Sequence, residues 1–302
     1  MHQSLSRTST PVPLFGSMIS ASNATLIPTI CATSTPIGSR PPRAGISKTG
    51  VNACICITPA ASLGSSMDEV ASPPPHAREV LTYWFGAFVV ANIASLLVVS
   101  AFGSQYDSGD NLPTWLIALS AAAMWSAYIA LSARYLRVSI SKLYEAVNAK
   151  IQLRDVMVGV PLGIGSQLIL VNAVTWPLSK LFPDAFSFDE VSKRASDLAD
   201  NANGIWIAVL ILVVVVGAPV VEEVVYRGIV QPGLVAAWGA RAGMLFTAVL
   251  FAAIHFQPIE FPGLLAFALV LGWARQSTDR LGLPVITHTA FNATGLLLVF
   301  LV

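Results

Sequence analysis

From about residue 80 to its C-terminus, the chain alternates between long apolar stretches and short polar connections. Seven stretches are candidate membrane spans, and several approach the ~20 residues that a bilayer requires. They cover residues 80–102, 112–133, 156–178, 205–221, 242–256, 262–274 and 284–302. The fifth and sixth are short, which indicates tilted, interrupted or partly protein-buried helices. The pattern predicts an all-α polytopic membrane helix bundle with about seven transmembrane helices, within a range of six to eight.

Composition supports a membrane environment. Hydrophobic residues make up 55% of the chain, charged residues only 11%, and the mean hydropathy is +0.69. Since soluble domains carry about 25% charged residues, this chain cannot cover its surface with polar groups, and we expect the lipid bilayer to be its partner. The net charge of +1 gives no basic field, so nucleic acid is not expected as a partner.

Residues 1–66 differ from the rest of the chain. They contain no Asp or Glu, four basic residues and twenty Ser or Thr, without helical or strand periodicity, so we expect disorder. Three interpretations remain open: an organellar transit peptide, a translated upstream region with Met67 as the true start, or an inert tail. All three cysteines lie here, which leaves no thiolate metal site in residues 67–302, the predicted transmembrane helical domain.

The charge of the connections predicts how the helices are oriented across the membrane. The connection 134–154 carries five Lys or Arg against the single Glu145, and short basic loops stay in the cytoplasm. Its periodicity also predicts a helix lying along the membrane surface. By contrast, residues 179–203 and the connection with Asp107 and Asp110 are acidic on balance. We expect these two connections on the outer side.

The fourth span leads into an unusual pair of acids, Glu222 and Glu223. Ionisable groups in hydrocarbon are costly and are a functional hypothesis by default. Pro219 lacks an N–H, so we expect the helix to kink or restart there. Glu223 and Arg227 are four residues apart in the order that favours an ion pair. Glu222 points about 100° away from Glu223 and is left without that cation.

Two histidines also lie within the predicted spans. His255 follows a largely apolar run, and His288 is four residues before Asn292 in the last span. That spacing places His288 and Asn292 on one helix face, where an amide fixes a tautomer or donates to an oxyanion. Each feature alone also fits ordinary helix contacts. A turn near Gly239 would place Glu222 and His255 at similar depth, whereas simple threading places His288 toward the opposite end.

In this order, the motifs Glu-Glu-x-x-x-Arg, Phe-x-x-x-His and His-x-x-x-Asn resemble the CPBP (CAAX proteases and bacteriocin-processing, or Abi) intramembrane protease family. The resemblance covers about residues 155–302, the predicted protease-like core. It implies an all-α membrane fold that hydrolyses peptide bonds of membrane-anchored or hydrophobic peptide substrates. It further implies that Glu222 activates water, that His255 helps to hold this water, and that His288 and Asn292 stabilise the oxyanion.

The same resemblance makes Glu223 and Arg227 the supporting ion pair and leaves a metal open. Glu222, His255 and His288 would form a three-ligand zinc site with an open position, but the chain has no His-Glu-x-x-His pair. We favour glutamate-activated water without a cofactor, with zinc as the alternative.

Two non-enzymatic hypotheses compete with the protease: a membrane scaffold or bacteriocin-immunity protein, and a proton- or ion-coupled transporter. No repeat symmetry of the kind common in transporters is visible. The expected location is the bacterial plasma membrane, or a plastid-type membrane if residues 1–66 are a transit peptide.

Overall fold

The computed structural model describes residues 76–106, 112–182 and 202–301, which form helices and no strand. All of them belong to one unit, Asp68–Val302. Residues 1–66, whose disorder the sequence predicts, lie outside this described part, as does most of the acidic connection 179–203. The boundary near Met67 therefore stays a prediction.

Eight helices follow one another along the described ranges. They are α1 (Ala77–Phe102), α2 (Thr114–Tyr135), α3 (Ile140–Ala146), α4 (Leu153–Leu181), α5 (Ile205–Trp238), α6 (Ala240–Ala253), α7 (Phe261–Thr278) and α8 (Gly282–Leu301). Five of them, α1, α2, α4, α5 and α8, are long and apolar enough to cross a membrane. This confirms a polytopic helical bundle, while the count of seven spans stays a prediction. The short helix α3 lies where the sequence predicts a surface helix.

Helix α5 is the longest element, with 34 residues, and it does not break at Pro219. A π-helical segment, Leu212–Gly217, precedes Pro219, and another, Tyr226–Val230, precedes Pro232. The wider π turn leaves room for the ring of each proline and allows the helix to continue although the proline has no N–H to donate. The expected kink or restart at Pro219 is thus a local change of winding inside a continuous helix.

Helices α6 and α7 form a hairpin. Gly239, with φ 84°, makes the sharp turn from α5 into α6, and the Gln276 amide donates to the Ala240 carbonyl at 2.9 Å. The beginning of α6 and the end of α7 therefore lie together. The 14 residues of α6 span only ~21 Å at 1.5 Å per residue, so the tip of the hairpin falls short of a bilayer's thickness.

The turn between α7 and α8 is fixed to the basic connection that precedes α4. Arg280 makes a two-point ion pair with Asp155, at 2.6 and 3.1 Å. Asn148 donates to the Asp279 carbonyl at 2.8 Å and accepts from the Leu281 amide at 3.0 Å. These bonds place the start of α8 at the end of the bundle for which loop charge predicts a cytoplasmic location.

Helix α8 lies closely against α4 at two glycines. A Cβ on Gly159 would meet the Ile286 side chain, and one on Gly163 would meet the Thr287 carbonyl and lie 2.7 Å from the Ala290 Cβ. Small residues of this kind let membrane helices approach closely. The contact fixes the stretch of α8 that carries His288.

We predict that Gly163→Ala lowers the thermal stability of the detergent-purified protein. Overpacking a tight contact costs about 1–3 kcal/mol, and here the new methyl group would meet backbone atoms of α8. Gly165→Ala is the matched control, because a Cβ at Gly165 meets nothing within 4 Å. Equal unfolding midpoints for the two variants would contradict the tight α4–α8 contact.

Candidate active site

Glu223 lies at the centre of a buried polar cluster. Its side chain is 0% exposed, and its Oε1 accepts from Arg227 Nη1 at 3.1 Å and from His288 Nδ1 at 2.9 Å. Arg227, also 0% exposed, further donates to the Ala268 carbonyl of α7 at 3.1 Å. Helices α5, α7 and α8 therefore meet at this ion pair, and the predicted Glu223–Arg227 contact is present.

This contact determines the tautomer of His288. A carboxylate that pairs with Arg227 is ionised and only accepts hydrogen bonds, so the His288 Nδ1 carries a proton that it donates to Glu223. The Nε2 of the same ring faces Glu222, at 3.9 Å from its Oε2. Glu223 thus orients the imidazole and directs its other nitrogen toward the second glutamate.

Glu222 has different surroundings from those of its neighbour. Its side chain is 26% exposed and lines a cavity of about 180 Å³. The same cavity is lined by His255, Tyr226, Tyr128 and Asn92, among others. The 100° rotation between neighbouring helix positions separates the two acids, and the structure places Glu223 in the buried ion pair and Glu222 in the cavity.

His255 lies just after α6 and shares the cavity with Glu222. Its Nδ1 is 2.8 Å from the Phe251 carbonyl, and since a carbonyl only accepts, this Nδ1 carries the proton and Nε2 is left as an acceptor. Residue 222 lies 16 positions before Trp238, and residue 255 lies 15 after Ala240. These distances from the turn match, as the helix lengths predict.

The opposite depths expected for His255 and His288 are reconciled by the different points along α5 at which α6 and α8 begin. A Cβ on Gly228 would lie 3.5 Å from the Leu281 side chain, so α8 begins beside Gly228, whereas α6 begins beyond the end of α5 at Trp238. His288, six residues after Gly282, therefore reaches Glu222.

The Phe251 ring lies between the two histidines. Its centroid is 5.0 Å from the ring of His255 and 5.8 Å from that of His288, and the Arg227 guanidinium lies 4.5 Å from it. Phe251 is 1% exposed. The aromatic residue of the second motif is therefore the apolar wall that holds both imidazoles and the buried cation in place.

Asn292 does not bond to His288 in this structure. Its Nδ2 donates to the Val214 carbonyl at 2.8 Å, within the first π-helical segment of α5. The neighbouring π-type bond runs from the Ala218 N–H to the Val213 carbonyl, so the N–H of residue 219 would be the next donor. Since that residue is Pro219, the Asn292 amide takes the place of the missing donor.

Two helices outside the motif region also line the cavity. Asn92 of α1 and Tyr128 of α2 face the same space as Glu222, and the Trp84 indole donates to the Tyr226 hydroxyl at 3.1 Å. These residues lie outside the three motifs and were not predicted as part of the site. A polar Asn92 in the middle of an apolar span was the available signal.

The three proposed zinc ligands do not form a compact site. Within residues 76–106, 112–182 and 202–301, no group of three His, Cys, Asp or Glu side chains has the spacing of a metal site. Glu222 and His288 approach each other to 3.9 Å, but His255 does not complete a group of three with them. The donor set offered for zinc therefore does not fit a three-ligand site in this arrangement.

The described helices thus form a membrane-type bundle with a buried ion pair beside a cavity lined by a glutamate and a histidine. Residues 204–294 match the family described as type II CAAX prenyl endopeptidase, Rce1-like. This confirms the family resemblance of the motifs, all of which fall within the matched residues. Searches of the curated proteins and of the solved structures found no match.

We predict that Arg227→Met destabilises the fold by about 3–5 kcal/mol, because it leaves the Glu223 charge buried without its cation. Chemical unfolding in detergent measures the effect. The control is Asp279→Asn, which removes the same i,i+4 contact from Arg275 at a carboxylate that is 92% exposed. We expect that control to cost under about 1 kcal/mol. Similar losses for both variants would show that the buried pair has no special importance.

Proposed function

We propose that the protein is an intramembrane endopeptidase of the CAAX-protease type, in which Glu222 activates water against a peptide bond of a membrane-associated substrate. The observation that carries the proposal is the separation of roles between two adjacent glutamates. Glu223 is fully buried in an ion pair, whereas Glu222 lines a cavity with two histidines nearby. The family match of residues 204–294 supports peptide-bond hydrolysis.

The chemistry follows from the positions of Glu222 and His288. Their 3.9 Å separation is too long for a direct hydrogen bond and suits one bridging water molecule. Glu222 would take the proton of this water as the oxygen attacks the carbonyl carbon, and would then pass it to the leaving amine. The acceptor nitrogen of His255, on the same cavity, would help to hold the water.

Oxyanion stabilisation is assigned to His288. The Nε2 of this ring lies 3.9 Å from Glu222 and, when it carries a proton, would donate to the oxyanion. Asn292, which the family resemblance makes a second donor, has one amide N–H bonded to the Val214 carbonyl. We therefore propose that Asn292 contributes mainly by holding α8 against α5.

The proposed reaction uses no metal cofactor. Its water is positioned by one glutamate and two histidines whose ring nitrogens have separate partners, Glu223 and the Phe251 carbonyl. The substrate is a membrane-anchored peptide, because the cavity lies within a helical bundle of apolar, membrane-length helices. The bacterial or plastid-type membrane of residence stays a prediction from the sequence.

We predict that Glu222→Gln leaves the protein folded and lowers cleavage of membrane-anchored peptides by about 10²–10⁴-fold, the usual contribution of a general base. Gln keeps the size of the side chain and removes the base. Glu79→Gln is the control, because Glu79 is exposed and belongs to a different cavity. A folded Glu222→Gln variant with wild-type activity would exclude the assigned role, and cleavage by neither form would favour a scaffold or immunity protein.

A second prediction concerns metal removal. We expect a strong chelator to leave the wild-type cleavage rate unchanged within about twofold, since glutamate-activated water needs no Lewis acid. The measurement compares peptide cleavage before and after chelation, with and without added zinc. Loss of activity on chelation and its recovery with zinc would make Glu222, His255 and His288 metal ligands instead.

A further inference from the structure

A stripe of buried polar side chains runs along α5 away from the candidate active site. Glu223, Arg227 and Gln231 follow one another at four-residue intervals, and they are 0%, 0% and 1% exposed. Arg227 donates to the Ala268 carbonyl and Gln231 to the Gly272 carbonyl, at 3.1 and 2.9 Å. The stripe therefore faces α7 at Arg227 and Gln231, whereas Glu223 bonds to His288 of α8.

Each member of the stripe keeps one buried atom without a hydrogen-bond partner among the described residues. These atoms are Glu223 Oε2, Arg227 Nε and Gln231 Oε1. A buried polar atom without a partner costs about 1–3 kcal/mol, and in proteins such atoms are normally satisfied by internal water. Along the stripe, these three atoms are an acceptor, a donor and a second acceptor. Water molecules can bridge such atoms, because water both donates and accepts hydrogen bonds.

The stripe ends at a cavity of about 490 Å³, which is separate from the cavity of Glu222. Gln231 and Arg275 line it, together with the exposed residues Gln276 and Asp279. The Arg275 Nε donates to the Arg227 carbonyl at 2.9 Å, so the wall of the cavity is bonded directly to the stripe. The space is large enough for several water molecules.

The position of this cavity indicates the side from which water would enter. Asp279 lines it, and the Asp279 carbonyl accepts from Asn148 at 2.8 Å. Asn148 belongs to the basic connection 134–154, for which loop charge predicts a cytoplasmic location. The cavity therefore opens at the predicted cytoplasmic end of α5, α6 and α7.

We propose that this cavity is a water-binding access route, through which solvent reaches Gln231 Oε1 and then the buried Arg227–Glu223 ion pair. The proposal goes beyond the peptidase activity and does not depend on it. In an active enzyme, the route would hydrate the buried ion pair from the side away from the cavity of Glu222. The competing interpretation is a dry polar ladder that only joins α5 to α7.

The accessibility of an introduced thiol distinguishes a water-filled route from a dry polar ladder. In a chain with Ser at the three natural cysteines, we expect Gln231→Cys to react with a small, charged methanethiosulfonate reagent at least about tenfold faster than Leu234→Cys, because the thiolate that reacts forms in water. Leu234 is the matched control, since it is 0% exposed on the same helix. Gln276→Cys, at the exposed mouth of the cavity, is the positive control.

The membrane side from which the reagent reaches the thiol gives a second test. In oriented vesicles, the reagent should label Gln231→Cys only from the side that also labels Gln276→Cys. If Gln231→Cys reacts as slowly as Leu234→Cys while Gln276→Cys reacts readily, the ladder is dry and the proposal is wrong. This result would leave the peptidase proposal untouched, because neither variant alters Glu222 or His288.

A measurement on the unmodified protein covers the case in which Gln231→Cys fails to fold. Water-edited solid-state NMR reports how fast magnetisation passes from water to a chosen amide. We expect transfer to the Gln231 side-chain amide to approach that of the Gln276 side-chain amide and to exceed that of the Leu234 backbone amide clearly. Transfer as slow as that of Leu234 would overturn the water route.

Discussion

The Glu223 carboxylate accepts hydrogen bonds from Arg227 and His288 at the same oxygen, in a place that is fully buried. Removing these charges from water costs several kcal/mol for each ion, and the cost is offset only when the geometry is good and the remaining polar atoms have partners. The rest of the site depends on this contact, because it joins α5 to α8 and sets the tautomer of His288. A histidine held in this way presents its second nitrogen to Glu222 without further adjustment.

The winding of α5 brings the remaining residues to that contact. Its π-helical segments precede Pro219 and Pro232 and allow both prolines within a continuous helix. π-Helical turns commonly occur at functional sites, and these two flank the pair of glutamates. Asn292 supplies the hydrogen bond that Pro219 cannot give, so the third motif fastens α8 to the helix that carries the first.

The helical bundle and the different surroundings of the two glutamates were accessible from the sequence, because both follow from simple periodicity. Apolar stretches of sufficient length predict spans, and the 100° rotation between neighbouring helix positions separates Glu222 from Glu223. The turn at Gly239 and the match in depth between Glu222 and His255 were also predictable from helix lengths. The short fifth and sixth spans correspond to the hairpin of α6 and α7.

Other features could not be predicted, because they arise from contacts between distant segments. A restart of the helix at Pro219 does not occur, since α5 continues through this residue; the sequence shows the missing N–H but not the π-helical turn that precedes it. The bond of Asn292 to Val214 connects residues that are far apart in the chain, and the cavity walls from α1 and α2 lie outside the motif region. The orientation in the membrane and the disorder of residues 1–66 stay predictions.

A structure of the Glu222→Gln variant bound to an uncleaved membrane-anchored peptide would test the division of roles between the two glutamates. We expect the scissile peptide bond to lie in the cavity of residue 222, with its carbonyl oxygen toward His288 and one water molecule within ~3.5 Å of the carbonyl carbon. His288 should still donate to Glu223 in that complex. A peptide bound elsewhere, or a His288 ring turned away from Glu223, would contradict the division of roles between the two glutamates.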